Sequence, residues 1–134
     1  MSQENVEIVR RGYEHRRETG DFLEAILAPD FVWDMSKFGG WPEQQIYEGV
    51  DEARRFIRDW TAEFDEWEIE VEALHDAGGD NVVGVVRQRG RSRASGLPVE
   101  MLFAQIYTLR DGKEVSMEMY ADPAEALKAV GLEA

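Results

Sequence analysis

The chain contains no cysteine, which removes disulfides, thiolate nucleophiles and zinc–thiolate sites together. Its two histidines, His15 and His75, are too few and too separated to propose a histidine metal cluster, and neither a metal nor a cofactor is expected. Positive charge is scarce as well: 15 Lys and Arg stand against 28 Asp and Glu, a net charge of −13. So acidic a chain repels the phosphates of nucleic acid and the headgroups of anionic membranes, and neither is an expected partner. No stretch approaches the ~18 apolar residues of a membrane span, and the N-terminus lacks the basic-then-apolar pattern of a secretion signal. The expectation is a soluble cytoplasmic protein.

What is present suffices for a core. Apolar residues make up 43% of 134, enough for one domain and too short for two, so residues 1–134 read as a single domain. Residues 3–18 read as a helix, with Val6, Val9 and Tyr13 on one face. Gly20 ends it, Asp21 and Glu24 form a capping-box pattern for a short second helix, and Pro29 closes that helix. Phe31 to Asp34 is a short strand, Ser36 to Ile46 a loop or flap, and Asp51 to Phe64 a third helix burying Ala53, Phe56, Ile57, Trp60 and Phe64.

The second half changes period. Glu66, Glu68, Glu70 and Glu72 alternate with Trp67, Ile69, Val71 and Ala73, a strand with one apolar face. Turns at Gly78-Gly79, Ser95-Gly96-Leu97-Pro98 and Asp111-Gly112 divide the remainder into strands at 82–93, 99–109 and 115–120. Asp122 and Pro123 then open a last helix that Gly131 ends. Helices followed by a meander of long strands make an α+β fold, helices packed against one face of a strongly curved antiparallel sheet.

A tight turn at Gly78-Gly79 sets Glu70 opposite Arg87, Glu68 opposite Arg89 and Glu66 opposite Arg91. The arginines therefore read as cross-strand partners rather than a phosphate site. The same register sends Trp67, Ile69, Val71, Ala73 and His75 to the inner face with Val82, Gly84, Val86 and Gln88, and the apolar pattern adds Met101, Phe103, Gln105, Tyr107, Val115, Met117 and Met119. Gln88 and Gln105 are thus polar groups on an apolar face. Each needs a partner, since a buried unpaired amide costs ~1–3 kcal/mol. They mark either an internal cavity or satisfied core amides.

Val6 to Tyr13, Gly20-Asp21, the run Ala28-Pro29-Asp30-Phe31-Val32-Trp33-Asp34, Tyr47-Glu48-Gly49, Arg110-Asp111-Gly112-Lys113 and Tyr120-Ala121-Asp122 resemble the SnoaL-like branch of the nuclear transport factor 2-like superfamily. The resemblance spans nearly the whole chain. It implies a cone-shaped α+β barrel with an apolar cavity at its mouth for a small hydrophobic molecule, and a homodimer formed through the outer sheet face. The superfamily holds polyketide cyclases, ketosteroid isomerases, dehydratases, an epoxide hydrolase and non-enzymatic binding domains, so fold alone does not choose an activity.

By that resemblance Tyr13 occupies the place of an oxyanion-donating tyrosine, Asp34 lies one residue from the position of a catalytic base, and Gln105 stands where the isomerases place a protonated acid. An amide donates a hydrogen bond but cannot supply that proton. In the cyclase branch the base falls near Met119. One reading is therefore cofactor-independent proton transfer on a hydrophobic carbonyl substrate, with Asp34 as base and Tyr13 and Gln105 as polarising donors. The other is a non-catalytic ligand-binding or dimer-forming module. Trp33, Phe56, Trp60, Gln88, Phe103, Met117 and Met119 are candidate ligand contacts in either reading, with Trp41 as a lid residue and His75 as a polar contact at a strand end.

Overall fold

A computed structural model describes residues 2–42 and 44–132. Helix α1, Ser2–Thr19, lays the Val6, Val9 and Tyr13 stripe on the sheet. Gly20 leaves the helix at φ 78°, a left-handed conformation that glycine adopts without Cβ strain. The expected second helix is only a 3-10 turn, Glu24–Ile26, preceded by Leu23 with no side-chain cap. Asp21 instead accepts hydrogen bonds from Phe22 N (2.7 Å) and Arg54 Nε (2.9 Å).

Strand β1, Leu27–Asp34, begins earlier than expected and runs through Pro29. The proline falls in the irregular stretch between Leu27 and Val32 where pairing shifts register, a place where its missing N–H costs no ladder bond. A short β2, Ile46–Glu48, follows, then α2, Val50–Thr61, which buries Ala53, Phe56, Ile57 and Trp60. Phe64 belongs not to this helix but to β3, Phe64–Asp76, which pairs with β4, Asn81–Ser92. The remaining elements are β5, Pro98–Arg110, β6, Lys113–Tyr120, and α3, Pro123–Ala129, capped by Asp122 accepting from Ala124 N at 3.0 Å.

The six strands form one curved sheet in the order β2-β1-β6-β5-β4-β3. Its two edges, β2 and β3, do not join, so the expected barrel is open. Nor is the sheet wholly antiparallel, because β1 runs parallel to β6. The expectation that the helices share one face is corrected too. Helices α1 and α2 cover the inner face, while Ala126 and Leu127 of α3 pack on the outer face against Val83, Val85, Ala104 and Ile106. Strand β5 is thereby buried on both sides.

Two irregularities decide which side chains face inward. Pairing shifts between Val71 and Ala73, so Leu74 takes the inner side opposite Gly84, while Ala73 and His75 sit opposite Val85 and Val83. His75 and Ala73 therefore lie on the outer side, not the inner one. A second shift between Thr108 and Leu109 aligns Leu109 with Glu114 and makes Val115 the extra residue. Glu114 is buried where Val115 was expected.

The charged register holds as far as Glu68–Arg89 and Glu70–Arg87. Beyond it a bulge at Glu66 (φ 57°) places Asp65 opposite Arg91. Several ion pairs run diagonally, with Arg87 to Glu72 (3.1 Å) and Glu100 (2.9 Å) and Arg89 to Glu70 (3.3 Å), while Arg89 also meets Glu100 directly opposite it (3.5 Å) and Arg91 still reaches Glu66 (3.4 Å) across the bulge. Pairs this exposed contribute ~1 kcal/mol or less each.

Candidate functional site

A cavity lies between α1, α2 and the inner sheet face. Its wall is formed by Tyr13, Arg16, Trp33, Phe56, Ile57, Trp60, Trp67, Ile69, Val86, Gln88, Phe103, Gln105 and Met119. The room open to the centre of a water-sized sphere is about 20 Å³, enough for a single water.

The polar end is built on α1 and β5. Tyr13 Oη donates to Gln105 Oε1 at 2.6 Å, and Tyr107 Oη donates to the same oxygen at 3.3 Å. The two phenol rings meet edge to face, 5.8 Å apart. Arg16, one helical turn after Tyr13, donates from Nη2 to Tyr107 Oη at 3.3 Å, and its guanidinium lies 4.7 Å from the Phe22 ring centroid. The opposite end is simpler. Gln88 Oε1 accepts from the indole N–H groups of Trp60 and Trp67, the latter at 2.8 Å.

The two glutamine oxygens thus each take two donors. Among the described residues Gln105 Nε2 reaches only the sulfur of Met119, at 3.7 Å, a weak acceptor. Arg16 Nε and Trp33 Nε1 are buried with no hydrogen-bond partner among the described residues. Each such group costs about 1–3 kcal/mol until something accepts from it.

Titration separates the buried groups. Burial pushes the Tyr13 phenol well above its usual value, and the Tyr107 phenol moves up for the same reason. Both are donors at neutral pH. Glu114 is only 3% exposed, and burial raises its pKa to about 8 although Arg16 pulls it down. At neutral pH it carries its proton for most of the time.

Of the residues expected at the site, Tyr13, Trp33, Phe56, Trp60, Gln88, Phe103, Gln105 and Met119 line this cavity. Asp34 does not. Phe31, Trp33 and Met35 point inward with no more than 1% exposure, so strand alternation turns Asp34 outward. There Oδ1 accepts from Ser36 N at 2.8 Å, and its strand neighbour Glu118 pairs with Lys37 at 3.1 Å. His75 lies across the sheet from the cavity for the reason given above. Met117 is buried and lies beside Trp33 and Tyr107 in the ladder, but is not part of the wall itself. Trp41 does not line the cavity. Its ring meets Phe56 edge to face and Trp60 at a tilt, with centroids 5.2 and 5.3 Å apart, and its indole N–H donates to Tyr47 Oη at 3.0 Å.

Arg16 and Glu114 were not anticipated. Arg16 continues the 6-9-13 stripe at the next helical position, a spacing that was readable, but its residue type pointed to solvent. Among the described residues, no group of three or more His, Cys, Asp or Glu side chains converges to hold a metal ion, and no helix is long and apolar enough to cross a membrane.

The sequence model of the SnoaL-like domain matches residues 9–117. Among solved structures, the chain is 29% identical to an NTF2-like protein from Burkholderia thailandensis, covering 93% of this chain and 95% of that one with a TM-score of 0.72. A putative SnoaL-like polyketide cyclase from Jannaschia is 23% identical over 98% and 94% of the two chains, TM-score 0.73. TerC, co-crystallised with polyporic acid, is 19% identical over 95% and 98%, TM-score 0.73. These last two likenesses concern the fold alone. No curated protein matches the chain.

Proposed function

The chain belongs to the SnoaL-like domain family, and from that premise we propose that it binds a small apolar molecule in the cavity walled by Trp33, Phe56, Trp60 and Phe103, with the oxygen end of the ligand toward Tyr13 and Gln105. The observation that carries this reading is the pairing of an aromatic wall with residues that carry spare N–H donors around one cavity. A relative of the same fold co-crystallised with polyporic acid is consistent with it. Room for one water means that a ring enters only as wall side chains move. Trp41, seated on Phe56 and Trp60 from the loop after β1, is the covering residue.

Binding without turnover is favoured over isomerase or cyclase chemistry. The donors for an oxyanion are in place, but the described wall holds no carboxylate or imidazole, and Asp34 lies outside it. Tyr13 and Arg16, its titratable groups, stay protonated at neutral pH and cannot act as bases. Pairing of two copies through the outer sheet face belongs to this proposal. Leu102, 37% exposed on that face, is the apolar side chain such a contact would cover, and sedimentation velocity reads the outcome.

The test of binding is a titration with the neutral dye Nile red. Saturable one-to-one binding that moves the indole N–H resonances of Trp33 and Trp60 is expected. Uptake that never saturates, or that leaves those resonances in place, overturns the reading.

A further inference from the structure

The spare groups of the cavity are mostly N–H donors. Arg16 Nε and Trp33 Nε1 have no acceptor among the described residues, and Gln105 Nε2 has only a thioether. The acceptors, Gln88 Oε1 and Gln105 Oε1, are each already used twice. A ligand rich in donors would find only the Tyr13 hydroxyl oxygen to accept from it, whereas one made of acceptors would satisfy the spare N–H groups of the wall.

Charge points the same way. Arg16 is 5% exposed and cannot shed its proton, yet its polar contact is the Tyr107 hydroxyl and it forms no ion pair among the described residues. Buried cations are ordinarily met by an anion. Resting on the ligand-binding reading, we propose that the ligand is an apolar organic anion, a carboxylate or enolate, whose charge faces Arg16 and whose oxygens accept from Arg16 Nε and Trp33 Nε1. Glu114 is the built-in rival for this role. Held mostly protonated at neutral pH by its burial, it leaves the guanidinium charge uncancelled. The aromatic rings of Trp33, Phe56, Trp60 and Phe103 take the apolar body.

The experiment compares 2-naphthoate with its neutral isostere 2-naphthamide on the full chain at pH 6.5, by calorimetry and by the side-chain N–H resonances of Arg16 and Trp33. Naphthoate is expected to bind at least tenfold more tightly and to move both resonances. Arg16→Met should bring the two ligands within about threefold of each other. Trp33→Phe keeps the aromatic body and removes one donor, and should weaken naphthoate more than naphthamide and so narrow the ratio between the two severalfold; it serves where Arg16→Met does not fold. If naphthamide binds the wild type as tightly as naphthoate, the anion preference is overturned and the binding reading stands. If neither ligand moves a cavity resonance, both fall together.

Discussion

Tyr13 lies against the sheet where Gly84 has no side chain: a Cβ placed on Gly84 would overlap the Tyr13 hydroxyl and stand 2.8 Å from its Cε2. Gly84 is also the strand partner of Gln105. The bare position therefore clears the approach by which the phenol reaches the amide. One glycine on β4 sets the height of α1 above the polar end of the cavity.

Gly84→Ala is expected to lift the Tyr13 ring, break its bond to Gln105 and cost about 2–3 kcal/mol in denaturant unfolding. Adding Tyr13→Phe removes the overlapping hydroxyl and should restore part of that loss, a coupling of ~0.5 kcal/mol or more. A cost below ~0.5 kcal/mol for the single variant would mean that the helix does not rest on this contact.

Glu114 should make stability depend on pH. Its folded pKa of about 8 lies above the ordinary 4.5, so the folded state holds the proton more tightly. Its contribution is full below pH 4.5 and is lost as pH rises through 8. The groups coupled to it are Arg16 and Tyr13 on α1 and Tyr107 on β5. Relative to Glu114→Gln, the wild type should lose on the order of 4 kcal/mol between these limits. Parallel stability curves for the two proteins would contradict the assignment.

Anion binding and Glu114 should be linked. A carboxylate placed beside Arg16 disfavours a second negative charge there, so binding near pH 8 takes up a fraction of a proton. Calorimetric heats of naphthoate binding should therefore differ between phosphate and Tris buffers, and the difference should vanish in Glu114→Gln. Equal heats in the two buffers would show that Glu114 does not sense the ligand.

Asp34→Asn should leave ligand affinity within about twofold of the wild type, because the side chain faces away from the cavity. Its cost is confined to the turn at Ser36, ~0.5–1 kcal/mol. A large loss of affinity would restore Asp34 to the site.

Helix α1, the Asp122 cap and the hairpin at Asp111-Gly112 were legible because each is written in a few adjacent residues. Eight of the expected site residues meet at the cavity because strand alternation and helix period carry over from sequence to space. The failures have particular causes. His75 and Val115 were misplaced by bulges, where one additional residue inverts the side chains on one side of it and no glycine marks the spot. Arg16 lay on the right stripe but had the composition of a surface residue. The parallel pairing of β1 with β6 leaves no local trace, since it joins distant parts of the chain.

That last pairing bears on how the protein is made. Trp33 finds its ladder partner in Met117, and β1 lies between β2 and β6 in the sheet. During synthesis, then, Phe31 and Trp33 emerge long before the strand that will flank them exists. Closure over such a sequence distance slows folding, and until it occurs an aromatic strand edge stays open to other chains. A nascent chain arrested before residue 113 should bind chaperones through this segment, and one arrested well beyond residue 120 should not.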